Sequence, residues 1–554
     1  MATYTIGIDF GSLSGRAVLV DTANGREVAG ATVDYPHAVM DTVLAKTGAP
    51  LPPAYALQDP ADYLLVMETA IPAVLREAGV SPEEVKGICI DFTCCTLLPV
   101  TAEGIPLCFD PAFADTPLAY TLLWKHHAAQ KYADRMNEVA RARGEKFLDH
   151  VGGIISSEWM FPKILQVMNE APEVYAAADY FIEAGDWITW LLCGAQKRSY
   201  LYAAYKSLYI KGIGYPSEDY FAAVDERLRH IVRDKLMQPA AGLGEPVGVV
   251  TPEAAARFGL APGTVVACAI PDAHAAAPAL GIKDCGDMFA VLGTSGCFML
   301  LGDHSVVVPG TCGIVQDGVI PGFYGFEAGL CCLGDHFAFA AEKLTSPAYV
   351  KEAEERGISM LRLLLEKAAA KAPGESGVLA LNWFNGNRST LVDSDLSGLF
   401  VGMTLTTAPE DLMRALVEAT AFGSRYIVEH FEHYGVPVGR IVASGGIARK
   451  DPFTMQLYAD VLGREISIAE TAQAPALGAA ICAAVATGAY PDFISAIEGM
   501  HSRIDKKYAP VCENSCIYNE LYAEYKLLHD YFGKGENRVM HRLRALQGKV
   551  QSNG

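Results

Sequence analysis

Apolar residues in this chain alternate between short strand-length runs and longer stretches with helical spacing. Tyr4 to Phe10 and Ala17 to Val20 read as strands, and Gly11-Ser12-Leu13-Ser14-Gly15 between them reads as a glycine-permitted hairpin turn. The unit recurs much later, where Asp287 to Leu292 and Cys297 to Leu301 flank Gly293-Thr294-Ser295-Gly296. Two apolar hairpins with small, hydroxyl-bearing turns predict a duplicated architecture in which each half offers one turn to phosphate. Between them, Asp59 to Ala78 and Glu158 to Asn169 have helical spacing, and Val85 to Asp91 is a short buried strand ending in a carboxylate. In the second half Pro409 to Tyr434 is a long helical pattern, and Arg440 to Ser444 is a strand running into Gly445-Gly446. A further helix follows Asp451-Pro452. Strands alternating with helices predict an α/β protein with mixed sheets flanked by helices.

Length then sets the number of units. A single core stops growing at roughly 250 to 300 residues, so 554 residues predict two large domains with a cleft between them. The boundary is expected close to Gly281, giving domains 1–281 and 282–554. No Pro-rich or Ser-rich linker separates them, which predicts a hinge of ordered crossings. The stretch Ala474 to Ala489 is rich in Ala and broken by Pro475, Gly478 and Gly488, so it reads as a buried helix and not as a membrane span.

Charge narrows the partners. A net charge of −20 argues against a general nucleic-acid surface, which needs clustered Lys and Arg, so a small-molecule partner is expected, with no nucleic acid and no membrane. The start MATYTIGIDFG enters a strand without a basic stretch and apolar core, so cytoplasmic location is expected. The 14 cysteines show no paired CxxC and no zinc spacing, and read as reduced thiols.

Candidate chemistry sits at strand ends. Asp9 closes the run Ile6-Gly7-Ile8-Asp9-Phe10, where a carboxylate is expensive unless it serves a cation such as Mg²⁺ or hydrogen-bond donors; a capping Asp in a tight hairpin is the bland alternative. Gly11 and Ser12 supply close backbone approach and donors for phosphate oxygens, although GxxxxGK[ST] is absent from the turn. Val442-Ala443-Ser444-Gly445-Gly446 leads a strand into bare backbone on which a flat ring can lie, or is a structural turn. Asp272 follows the apolar run Val265 to Ile270 and is either a carboxylate delivered to a cleft as a proton acceptor or the N-cap of the next segment. His274 reads as a packing or hydrogen-bonding residue.

Taken together these residues resemble the FGGY family of carbohydrate kinases, within the actin-like ATPase superfamily, over nearly the whole chain. The late pattern Gly445-Gly446-Ile447-Ala448-Arg449-Lys450-Asp451-Pro452, continuing to Ala476-Leu477-Gly478-Ala479-Ala480, carries the resemblance, with Trp383-Phe384-Asn385-Gly386-Asn387-Arg388 and Gly402-Met403-Thr404-Leu405. Other segments resemble the members that act on the ketopentose L-ribulose: Leu123-Trp124-Lys125-His126-His127, Gly152 to Trp159, Lys163-Ile164-Leu165, Lys206-Ser207-Leu208 and Phe326-Glu327-Ala328-Gly329. The resemblance implies two actin-like (ribonuclease H-like) domains around a central cleft, sugar held mainly by the first and ATP mainly by the second. It implies ATP and Mg²⁺ as cofactors, a ketopentose substrate and a homodimer. It makes Asp272 the base for the 5-hydroxyl and Asp9 the metal ligand. Lys206 and Glu327 fall on the sugar's oxygens, with Trp124, Thr93 and Cys94 completing the pocket. ATP falls to Gly11, Ser12, Ser14 and Arg16, to Gly293, Thr294 and Ser295, and to Gly445 and Gly446. Related kinases for D-ribulose, ribitol or xylulose, and a nucleotide-switched sugar sensor, stay open alongside. Where these family members usually read Glu-Ala-Gly-Gln-Ser, this chain has Glu327-Ala328-Gly329-Leu330-Cys331, which is expected to remove an amide and a hydroxyl near the pocket; Cys94 and Ala269 also depart from the pattern.

Overall fold

The computed structural model describes residues 3–552. Its first sheet is built from β1 (Tyr4–Phe10), β2 (Ser14–Asp21), β3 (Glu27–Asp34), β4 (Val85–Phe92), β5 (Pro246–Val249), β6 (Val265–Ala267) and β7 (Ile270–Pro271). The second uses β8 (Met288–Leu292), β9 (Gly296–Gly302), β10 (Gly313–Gln316), β11 (Tyr324–Leu330), β12 (Ile441–Ser444), β13 (Ile466–Ala469) and β14 (Ile504–Tyr508). The strand orders are β5-β6-β4-β1-β2-β3, with β7 beside β4, and β14-β13-β12-β8-β9-β11-β10. In each sheet a hairpin (β1–β2, β8–β9) runs antiparallel, and its first strand pairs in parallel with a strand from much later in the chain (β4, β12). The duplication predicted from two hairpins therefore extends through the whole sheet. Central strands such as β1 are buried on both faces, which is why their sequences are nearly continuous apolar runs.

Helices cover the faces. In the first half α1 (Pro60–Ala78) starts where Asp59 accepts a hydrogen bond from Ala61 N–H and stops at Gly79, in the left-handed region at φ 65°. Next come α2 (Met160–Glu170), α3 (Tyr200–Lys206) and α4 (Asp272–Ala279); the second half contributes α5 (Pro409–His433) and α6 (Ala474–Ala486). The Ala-rich α6 is buried, packing on α4 and on β1 and β4 of the first sheet. The approach is so close that a Cβ on Gly7 would lie 1.8 Å from Ala476 O, and one on Gly478 would lie 1.7 Å from Ala275 O. This small-residue seam, continued by Val442, Phe289 and Met299, joins the two sheets through packed elements with no tether. A further layer, centred on Trp159, Phe161 and Phe221, sits on the first half and carries Trp124 at its edge. Among the described residues no helix is long and apolar enough to cross a membrane.

Candidate active site

Strand register brings three carboxylates together. Asp9 on β1 is the Cα partner of Asp91 on β4 and of Arg16 on β2, and Ile270 on β7 is the partner of Asp91 from its other side. Asp272 follows as the first residue of α4. Asp9 is 6% exposed and Asp91 0%, and both Asp91 oxygens are buried without a hydrogen-bond donor. Arg16 Nε lies 3.4 Å from Asp9 Oδ2. Burial raises the Asp9 carboxyl above its ordinary range against the pull of Arg16. Burial, followed by the neighbouring Asp9 charge, raises Asp91 much further. Two carboxyls this close cannot both ionise cheaply, so the pair holds a proton unless a cation replaces it. The donor set is all oxygen and hard, which fits Mg²⁺. Among the described residues no cluster of three or more His, Cys, Asp or Glu side chains could cage a metal ion.

Asp272 is the most exposed of the three, being only half-buried. Its Oδ1 accepts a 2.8 Å hydrogen bond from Ala273 N–H, and the N-cap position belongs to Pro271. Burial and then the Asp9 charge push its carboxyl up to about 7, against the Ala273 N–H. A carboxylate poised there accepts a proton near neutrality.

On the other wall, Lys206 at the end of α3 and Glu327 on β11 form a buried ion pair between the halves, with Nζ 3.0 Å from both carboxylate oxygens. Burial raises Glu327, but Lys206, then His274 and Arg388, outweigh it and leave the carboxyl below its ordinary value. His274, held neutral by burial at about 4, sits under the Tyr205 ring at 4.1 Å, with Nε2 3.8 Å from Glu327. A second bridge between the halves joins Arg388 Nη2 to Glu158 Oε2 at 3.1 Å. Alternation along β11 puts Glu327 and Gly329 on the site face and Ala328 and Leu330 on the other. Leu330 is 5% exposed within the second core, against Gly423, so the change from the family pattern at this position does not reach the pocket face. Cys331 lies near Arg388 instead.

The first turn closes through Gly11 N–H to Ser14 O at 3.0 Å. Trp124 Nε1 donates to Ser12 Oγ at 3.0 Å, linking a residue expected at the sugar to one expected at phosphate. Ser14 is a 3.5 Å neighbour of Arg16 Nη2. Thr93 is buried, its hydroxyl 2.8 Å from that of Thr96, and Cys94 beside it is half-buried. The second turn closes through Gly293 N–H to Ser295 O at 3.0 Å, and its Thr294 is exposed. Because Val291 pairs with Ser444, Gly445 and Gly446 lie at the same end of the sheet as this turn. Gly445 is at φ 96°, and a Cβ there would meet Leu292 O at 2.5 Å, whereas Gly446 faces open space. Among the described residues no hydrogen bond or ion pair links the two turns directly. Asp91, Arg388 and Glu158 are the functional candidates that sequence reasoning missed. The signal for Asp91 was a buried strand ending in a carboxylate, the same signal that singled out Asp9. A cavity of about 200 Å³ between Phe147, Tyr200, Lys211 and Tyr324 is lined by none of the predicted site residues.

Two sheets of one topology meet at a small-residue seam, with carboxylates at strand ends of the first and glycines at strand ends of the second. Residues 4–279 match the amino-terminal domain, and residues 288–487 the carboxy-terminal domain, of the FGGY family of carbohydrate kinases, and the chain belongs to this family. It is 50% identical over 544 residues to the ribulokinase of Bacillus licheniformis, covering 98% of both chains. It is also 50% identical over 546 residues to the ribulokinase of Geobacillus thermodenitrificans, covering 98% of this chain and 96% of that one. The fold matches the crystal structure of xylulose kinase from Rhodospirillum rubrum with a TM-score of 0.76 at 23% identity, covering 95% and 98% of the two chains. The activity that goes with family membership is phosphorylation of a small sugar with ATP as donor.

Proposed function

We propose that this chain is an ATP-dependent ribulokinase, transferring the γ-phosphoryl group to the 5-hydroxyl of L-ribulose, and of D-ribulose as a second substrate, with Asp272 as general base. The observation that carries the reading is Asp272 itself, a half-buried carboxyl raised to about 7 at the start of α4, with Asp9 as its charged neighbour. Its free oxygen takes the hydroxyl proton as the new O–P bond forms and the bond between the γ-phosphorus and ADP breaks. Lys206 and Glu327 bind the sugar's oxygens as a preformed charged pair, and Trp124, Thr93 and Cys94 form the opposite wall. Asp9, with Asp91 behind it, holds Mg²⁺, which when bound offsets the charge on the transferred phosphate. The amides and hydroxyls of Gly11, Ser12, Ser14, Gly293, Thr294 and Ser295 hold phosphate oxygens, together with Arg16. Gly445 and Gly446 flank the adenosine. Residues 1–281 mainly hold the sugar and 282–554 mainly ATP, in a cytoplasmic homodimer whose assembly light scattering measures.

The identity to ribulokinases along the full chain supports L-ribulose over xylulose or a pentitol. A kinetic panel of pentuloses and pentitols with coupled ADP detection tests the choice. The highest kcat/KM on L-ribulose is expected, and a higher value on xylulose or ribitol overturns it. Sugar-independent ATP hydrolysis without sugar phosphate would identify a sensor instead.

A further inference from the structure

The peptide bond between Cys95 and Thr96 is gripped from both ends by buried, oppositely charged side chains that the chemistry above does not use. Lys163 on α2 donates to Cys95 O at 2.6 Å, and Glu183 Oε2 accepts from Thr96 N–H at 2.9 Å. Lys163 is 0% exposed and Glu183 1%. The remaining two protons of the same ammonium go to Leu122 O at 3.2 Å and Leu123 O at 2.8 Å, the carbonyls that lead into Trp124. One cation therefore ties the loop carrying Thr93 and Cys94 to the segment carrying Trp124. The loop needs holding, because Cys95 is a non-glycine residue in the left-handed region at φ 63°.

A buried ammonium is an expensive brace. Burial lowers the Lys163 pKa and raises the Glu183 carboxyl to about 7, so an apolar side chain would fill the space on α2 at less cost. What an apolar side chain lacks is three directed donors, which saturate three carbonyls from two separate segments and fix their spacing. We infer that Lys163 and Glu183 are positioning residues that set the distance between the Cys94 loop and Trp124, and thereby the width and substrate fit of the sugar pocket. This rests on the reading above that these two segments form the sugar's wall.

The test is steady-state kinetics of the full chain with L-ribulose and MgATP, on variants confirmed folded by circular dichroism and thermal melting. Lys163→Met should raise the KM for L-ribulose about 10-fold or more, because a shift of about 1 Å in a positioned group is enough for such losses. The KM for ATP should stay within about two-fold, and kcat at saturating sugar should fall much less than kcat/KM. Glu183→Gln keeps an acceptor oxygen and the side-chain shape, and should raise the sugar KM about three-fold. It decides the matter if Lys163→Met does not fold. Sugar and ATP KM rising together, or a sugar KM unmoved in the folded variants, overturns the clamp. Trp124→Ala separates the two levels. If it leaves the sugar KM unchanged, the pocket reading itself fails; if it raises that KM while the clamp variants do not, only the clamp fails.

Discussion

The hairpins β1–β2 and β8–β9 hold the same place in sheets of the same order, yet their side chains differ where chemistry would occur. Counting back from each turn, Asp9 corresponds to Val291 and Arg16 to Cys297, and in the parallel neighbour Asp91 corresponds to Ser444. The first half thus carries buried carboxylates at its strand ends, while the second offers glycines, an exposed Thr294 and bare backbone. One backbone plan supplies two surfaces, a charged end whose buried carboxylates suit a metal and a proton and a neutral end of small residues and bare backbone suited to a nucleotide. Function here resides in a few side chains grafted onto a repeated scaffold, not in the scaffold itself.

The largest expected effect removes the proposed base. Asp272→Asn should lower kcat by about 10²- to 10⁴-fold while L-ribulose binding by calorimetry changes little; a near-normal kcat would remove Asp272 from the mechanism. Lys206→Met comes next. Left unpaired, buried Glu327 should reduce unfolding free energy by about 3 to 5 kcal/mol in urea melts. Lys206→Met combined with Glu327→Gln should recover much of that stability without recovering sugar affinity, which separates the pair's structural role from its binding role.

The direct test of the comparison between halves is a pair of substitutions at equivalent sites. Asp91→Asn should raise the Mg²⁺ concentration for half-maximal activity about 10-fold, and Ser444→Ala should change it by less than about two-fold. Equal shifts would mean that the halves are not electrostatically distinct. A pH profile sharpens the same point. Because Asp272 must be ionised to accept a proton and stands at about 7, kcat/KM for sugar should rise with pH through about 7 and then level off. The sign for stability is opposite. A carboxyl raised in the folded state releases its proton more easily when unfolded, so its contribution is greatest below pH 4 and is lost as pH rises through about 7. The smallest expected effect on catalysis comes from Leu330→Gln, which restores the usual family residue. With the side chain buried on the far face of β11, it should cost about 1 to 3 kcal/mol of stability and leave the L-ribulose KM within about two-fold.

Much of the scaffold was readable in advance, because the local rules that set it are local in sequence. Asp59 before Pro60 and Gly79 after Ala78 bound one helix by capping, and the apolar run Val85 to Asp91 appears as a strand one residue longer. What escaped was pairing across the chain. Asp91 was visible as a carboxylate at a strand end, but its place beside Asp9 depends on parallel register over more than 80 intervening residues. Leu330 was expected near the sugar, and the two-residue alternation of β11 turned it into the core. Lys163 falls within one of the runs that carry the family resemblance, and nothing local says that its ammonium ends on Cys95, Leu122 and Leu123.

By itself, the sequence determined that the chain has two α/β halves, each opening with a small-residue hairpin, and that it belongs with sugar kinases. Hydrophobic period, turn chemistry and motif spacing are short-range properties. Only the tertiary structure decided which charges face one another: Asp9 with Asp91, Lys206 with Glu327, Glu158 with Arg388. Those partnerships set proton affinities and pocket shape, because burial and a neighbouring charge act through space and not along the chain.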